Sequence, residues 1–227
     1  VQEYETLAAA GACGGTIASS AMSVTDWDLM LLVKMNQEWT HPVLDRVMAS
    51  LSAVEAWFPL FGLVLLVAVW KGGVRARWML VCVALALAVG DGVVSNSLKK
   101  AVGRVRPRDA MEGLVVRDLG KASPPTMRLF VPLVVKPSRV LGEERGKSFP
   151  SSHTVNLFAV ATVVGCFYRG WGMVGFVLAG AVAWSRVYCG AHWPSDLPAS
   201  MALGVGTGIL VVWGVGRVRR VVGKAEE

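Results

Sequence analysis

The sequence predicts an all-α fold, a polytopic membrane helical bundle of about five transmembrane helices preceded by an N-terminal interfacial helix. Three observations predict it. The 227 residues are 54% hydrophobic and only 17% charged, whereas soluble domains carry roughly 25% charged residues. The apolar residues gather in five runs, each near the roughly 20 residues that a bilayer crossing needs. Trp57, Trp70, Trp78, Trp171, Trp193 and Trp213 stand near the ends of those runs, as tryptophans do at the headgroup level.

The elements follow in order. Residues 1–25 read as a flexible or surface-lying leader, because Leu7 to Met22 is only mildly apolar and no basic residue precedes it. Asp26 to Ser52 carries apolar residues at helical spacing with Lys34, Glu38, Asp45 and Arg46 among them. That is too polar to span and amphipathic enough to lie in the interface, as a peripheral packing helix. The first span runs from about Val54 to Trp70, and Lys71, Arg75 and Arg77 form a basic turn. The second runs from about Trp78 to Leu98. A polar connection, 99–149, follows; its Pro124, Pro125, Pro132 and Pro137 predict an ordered but irregular lid. The third span starts at Ser151 or Ser152 and ends near Tyr168. The fourth runs from about Trp171 to Tyr188. Gly190 breaks it, and Pro194 suits the first turn of the fifth, which ends near Gly216. The membrane domain is thus 26–216, with a basic tail at 217–227.

Five spans put the connections before the first, between the second and third, and between the fourth and fifth on one face. The formal charge of +7 favours anionic partners, phosphate groups or acidic headgroups. Nucleic acid is set aside, because the basic residues alternate with spans. The four cysteines show neither C-x-x-C nor Cys/His ligand spacing, so no structural zinc is expected. The oligomeric state is left open.

Three short segments border the spans on that shared face. The first is Lys99-x6-Arg106-Pro107, the second Pro150-Ser151-Ser152-His153, the third Ser185-Arg186-x5-His192-x3-Asp196. A phosphate monoester carries close to two negative charges. Lys99 offers a point charge; Arg106 and Arg186 offer planar forks for two oxygens. Lys99 and Arg106 lie two turns apart and face one point if the helix persists that far, with Pro107 stopping it. Lys100, Arg104 and Arg108 read as headgroup anchors. Ser151 and Ser152 open a helix, where free N–H groups and the dipole favour phosphate, and His153 stands beside them to protonate a leaving oxygen. His192 is placed at the start of the fifth span with Asp196 one turn on. A carboxylate bonded to one imidazole nitrogen leaves the other as a nucleophile. Taken singly, each segment also reads as a span anchor, a helix cap or a local ion pair.

Together the segments resemble the signature of the type 2 phosphatidic acid phosphatase (PAP2) superfamily, which includes the vanadium haloperoxidases: K-x6-R-P, P-S-G-H, then S-R-x5-H-x3-D. The resemblance covers about Val54 to Val212. It implies phosphate binding by Lys99, Arg106, Ser151, Ser152 and Arg186, with His153 as general acid, His192 as nucleophile and Asp196 as its partner. It implies a metal-free phosphatase, without cofactor, acting on lipid mono- or diphosphates through phosphohistidine. The site would face outward from the cell (inner) membrane, although most of the 23 lysines and arginines fall on that face, against the positive-inside trend. Ser152 stands where the pattern has glycine. The basic lid residues Arg117, Lys121, Arg128, Lys136 and Arg139 suit either a large anionic headgroup, such as lipid A, phosphatidylglycerol phosphate or a prenyl diphosphate, or a plain solvated connector. Asp91, inside the second span, reads as structural support through Ser95 or a neighbouring helix. Rival functions are a phosphotransferase with the same intermediate, a vanadate-dependent oxidase and a non-catalytic lipid-binding protein.

Overall fold

A computed structural model of the chain describes residues 23–142 and 146–225, the last five as backbone. The leader expected over 1–25 lies almost wholly outside them. Ser23 opens the first helix, α1 (Val24–Val33), through a capping box: its hydroxyl accepts the Asp26 N–H, and the Asp26 carboxylate accepts the Ser23 N–H. A five-residue π turn, Lys34–Glu38, follows, then α2 (Pro42–Ser52). The N-terminal segment is therefore helical as expected, but it is two helices, and they pack inward. The buried Asn36 explains why. Its Nδ2 donates to the carbonyls of Val115 and Tyr188, and its Oδ1 accepts the Val115 N–H, each at 2.8 Å. Leu32 and Met35 join Leu114, Ala183, Val187 and Leu197 in one apolar cluster.

A 3-10 turn, Val54–Trp57, leads into α3 (Phe58–Lys71), none of whose residues is buried. Next comes α4 (Gly73–Leu87), continuous through a π segment, Ala88–Ser95, with α5 (Asn96–Val102). The helix does not persist to Arg106. Gly103 adopts φ 62°, the left-handed conformation that ends helices, and Pro107 opens a separate turn, α6 (Pro107–Ala110). Asp91 is exposed on the π segment, and the Ser95 hydroxyl is buried without a hydrogen bond, so the bond expected between them is not formed.

The polar connection holds the fold's strands among the described residues. β1 (Val115–Leu119) pairs antiparallel with β2 (Leu133–Pro137), Val115 opposite Pro137 and Leu119 opposite Leu133. Two of its cations are committed to structure. Arg117, 4% exposed, pairs with Asp45 at 2.7 Å and lies over the Tyr188 ring at 4.6 Å. Arg128 pairs with Asp118 at 2.7 Å and Glu55 at 3.6 Å. Lys121, Lys136 and Arg139 remain exposed.

The bundle closes with α7 (Ser152–Phe167), α8 (Arg169–Tyr188) and α9 (Asp196–Ala225). Among the described residues four helical stretches are long and apolar enough to cross a membrane: Val54–Lys71, Gly73–Ala110, Arg169–Tyr188 and Asp196–Arg220. The remaining expected span, α7, has 16 residues, about 24 Å at 1.5 Å each. It sits at the centre, against α4, α8 and α9, so protein rather than lipid surrounds much of it. Backbones approach closely there: a Cβ on Gly204 would meet the Val155 carbonyl at 2.4 Å, and one on Gly208 would meet Ala159 and Thr162 below 3 Å. Small residues at such crossings are how membrane helices gain dispersion contacts. Outward, Phe58, Leu63, Val64, Leu66, Trp70 and Trp171 are all exposed, an apolar surface far beyond that of a soluble monomer. The chain is a multi-pass membrane protein.

Candidate active site

The ends of α5, α7 and α8 and the start of α9 bring the three segments to one place. The Lys99 ammonium, late in α5, donates to the Ser152 hydroxyl at the head of α7. His153, next along α7, shares a polar pocket of about 180 Å³ with Arg186 from the last turn of α8, and Arg108, Ser52 and Glu55 also line it. Lys99, Arg106, Arg186 and His192 all lie within electrostatic reach of His153. Arg186 donates to the Ser52 carbonyl at 3.0 Å and to its hydroxyl, so the end of α2 holds this guanidinium. Arg108 contributes to the pocket instead of merely anchoring a span end.

Ser151 is placed differently from Ser152. It is fully buried; its N–H donates to Ser200 Oγ at 2.9 Å, and its Oγ accepts from Thr154 Oγ1 at 3.1 Å. Its side chain makes no cap bond to the helix backbone, so the expected capping role is not seen.

His192 lies in the turn before α9, not within the helix, because α9 starts at Asp196. It is 3% exposed, and its Nδ1 is 3.7 Å from Asp196 Oδ2. That is an ion-pair distance, longer than a hydrogen bond. The carboxylate is already occupied: Oδ2 accepts from the Ser148 hydroxyl and, at 3.0 Å, from the Trp193 N–H, while Oδ1 accepts from Arg104 Nη1 at 2.6 Å. Arg104 is therefore no headgroup anchor. Trp193 is held inward as well, its indole N–H donating to the Val105 carbonyl at 2.8 Å.

Burial pushes the His192 imidazole down to about 4; Asp196 opposes the shift, and the Arg186 and Arg106 charges add to it. The ring is thus neutral at physiological pH, the form a nitrogen nucleophile needs. Burial likewise pushes the neighbouring Cys189 thiol up to about 11, which keeps it protonated and unreactive.

Several site residues are not among the specified positions of the motifs read from the sequence: Ser52, Asp28 and Ser148 lie outside the segments, and Arg104 and Ser195 occupy their unspecified positions. Arg104 sits inside the first segment, yet its carboxylate partners are 76 and 92 positions away. No local spacing signals such pairs.

An apolar groove of about 660 Å³ lies between α3, α7 and α8, running from Leu51 and Trp57 to Gly72 and Tyr168. It borders the polar pocket on three elements. Arg186 and Val182 are one turn apart on α8, His153 and Leu157 one turn apart on α7, and Ser52 and Leu51 adjacent on α2; in each pair the first lines the pocket and the second the groove.

Known proteins resemble this chain in sequence and in fold. The bacitracin transport permease protein BcrC of Bacillus licheniformis is 32% identical over 102 residues, 44% of this chain and 50% of the relative. The chain thus spans about half the length of that protein. The lipid A 4'-phosphatase of Bacteroides thetaiotaomicron is 26% identical over 187 residues, 80% of this chain and 73% of the relative. The crystal structure of Aquifex aeolicus LpxE superposes with a TM-score of 0.60 at 22% identity, covering 84% of this chain and 99% of that one; at that identity the likeness speaks for the fold. The PAP2 superfamily model matches residues 75–220, from the start of α4 past all three segments, and the chain belongs to that superfamily.

Proposed function

We propose that this protein is a lipid phosphatase of the cell inner membrane, with its active site on the extracytoplasmic face. The observation that carries the reading is the junction of the polar pocket with the apolar groove. The polar pocket lined by Arg186, Arg108 and His153, with Lys99 and Arg106 within electrostatic reach of His153, has immediately beside it a wall of Leu157 and Val182, which suits an anionic head with an apolar chain. The contrary charge count loses force, because Lys99, Arg104, Arg117, Arg128 and Arg186 on that face are engaged in site or lid contacts and do not serve as free topogenic charges.

In this reading Lys99, Arg106, Ser152 and Arg186 hold the phosphoryl oxygens. Ser151 supports the loop through Ser200 and Thr154. His192, with Nδ1 toward Asp196, attacks phosphorus through Nε2. The N–P bond forms as the P–O bond to the lipid breaks, and His153 gives its proton to the departing oxygen. Water then attacks phosphorus and gives a proton to His153; as the new O–P bond forms the N–P bond breaks, its electron pair returns to His192 Nε2, and inorganic phosphate is released. No metal or cofactor takes part. Lipid A, phosphatidylglycerol phosphate, phosphatidate and undecaprenyl diphosphate are the substrates to compare.

The test is phosphate release by the purified protein on that panel, with His192→Ala alongside. The variant, with an unchanged thermal midpoint, is expected to release no phosphate from any of them. Full activity in it overturns the mechanism. Activity is expected to survive excess chelator; a loss that magnesium restores argues for metal-assisted chemistry.

A further inference from the structure

Asp28 lies outside the three motifs and outside the family-matched residues 75–220, yet it is a buried carboxylate, 2% exposed, aimed at the site from α1. Its Oδ1 accepts the Ser195 N–H at 2.7 Å. Its Oδ2 accepts from the Ser195 hydroxyl and from Arg104 Nη2, both at 2.6 Å. The other arm of Arg104, Nη1, reaches Asp196 Oδ1 at 2.6 Å and Ser195 Oγ at 2.8 Å, and the guanidinium lies over the Trp193 ring at 5.2 Å. Trp193, Ser195 and Asp196, in the turn that follows His192, are thus all held by one arginine, and α1 holds that arginine.

The charges matter as much as the geometry. Carboxylate, guanidinium and carboxylate stand in a row with a net charge of −1. Without Asp28, Arg104 would neutralise Asp196 and leave His192 facing no net negative charge. Arg106 and Arg186 already oppose a positive imidazole, and His153 lies within electrostatic reach. Phosphorylation of His192 makes the ring cationic, so a negative partner at Nδ1 stabilises the step. Arg104 does not serve as a phosphate ligand here, because both of its arms are taken.

We propose that Asp28 and Arg104 are positioning residues for the His192–Asp196 pair: Arg104 fixes the Asp196 carboxylate with one arm, and Asp28 anchors the other arm and offsets its charge. This rests on His192 as the nucleophile. It assigns α1 a part in the reaction.

The experiment uses the full chain in detergent with a short-chain, water-dispersible phosphatidate. It compares wild type, Asp28→Asn, Arg104→Lys and His192→Ala. The readouts are thermal midpoint, kcat, KM, inhibition by inorganic phosphate and the pH profile of kcat/KM. Asp28→Asn is expected to lower kcat on the order of tenfold to a hundredfold, no more than the loss of an acid–base group itself, with KM and phosphate inhibition little changed. The acid limb of kcat/KM moves to lower pH, because a less negative partner makes His192 harder to protonate. Arg104→Lys keeps the charge but not the two-armed bridge and is expected to lose kcat similarly. Folded Asp28→Asn with wild-type kcat and an unmoved limb overturns the proposal. So does an Arg104→Lys variant whose main defect is weaker phosphate inhibition, since Arg104 would then touch substrate. If Asp28→Asn does not fold, Arg104→Lys decides on the same readouts. Phosphate release by His192→Ala would sink the underlying reading instead, separately from this one.

Discussion

His192 shows how a single side chain ties stability to chemistry. Its pKa in the folded protein is about 4, against about 6.5 in an unfolded chain. On acidification the unfolded state takes up a proton that the folded state resists, so this residue's contribution to stability is lost as pH falls from about 6.5 to about 4. The thermal midpoint of wild type should therefore drop more steeply over that window than that of His192→Gln; parallel curves would refute the assignment. Arg117 makes a stability prediction of its own. Replacing it with alanine strands Asp45 and removes the cation from the Tyr188 ring, which should cost about 3 kcal/mol, read as a lowered midpoint in detergent. At this scale the sequence singled out the groups whose chemistry is unusual in a membrane: His153, His192, Asp196, Lys99, Arg106 and Arg186. It hid Asp28 and Arg104, because a buried carboxylate in an amphipathic helix looks like a solvated one until its partner, 76 positions on, is known.

Between elements, α7 packs as extensively against α9 as against α8, and the α7–α9 contact bears on the site. It sets His153 and Ser152 on one helix relative to Asp196 on the other. Gly208→Leu would drive a side chain into Ala159 and Thr162, whereas a Cβ at Gly206 meets nothing within 4 Å. The first should cost roughly 1–3 kcal/mol and lower phosphate release with it; Gly206→Ala should leave both near wild type. A Gly208→Leu variant with an unchanged midpoint would show that the helices part without cost. The long helices were legible because sustained apolar composition needs no partner to be recognised. The hairpin of β1 and β2 was not, since the prolines of the connection mark irregularity without telling which stretches will pair. The break at Gly103 was left open by the sequence for a related reason: glycine at a helix end and glycine within one look alike until φ is known. The division of α1 from α2 depends on Asn36, whose partners lie in β1 and α8.

For the molecule as a whole, a polar pocket adjoins an apolar groove that runs beside α3. Ala68→Trp projects an indole from α3 into the groove and should cut kcat/KM for a long-chain lipid phosphate roughly tenfold, about 1.4 kcal/mol, while sparing a short-chain one. Equal losses on both would mean that the groove is not where the chain lies. Because α3 buries none of its side chains, displacing it would break few fully enclosed contacts within the protein. The two products of the proposed hydrolysis would then have separate exits: the dephosphorylated lipid sideways into the bilayer past α3, and inorganic phosphate through the polar mouth, so neither would wait for the other's doorway.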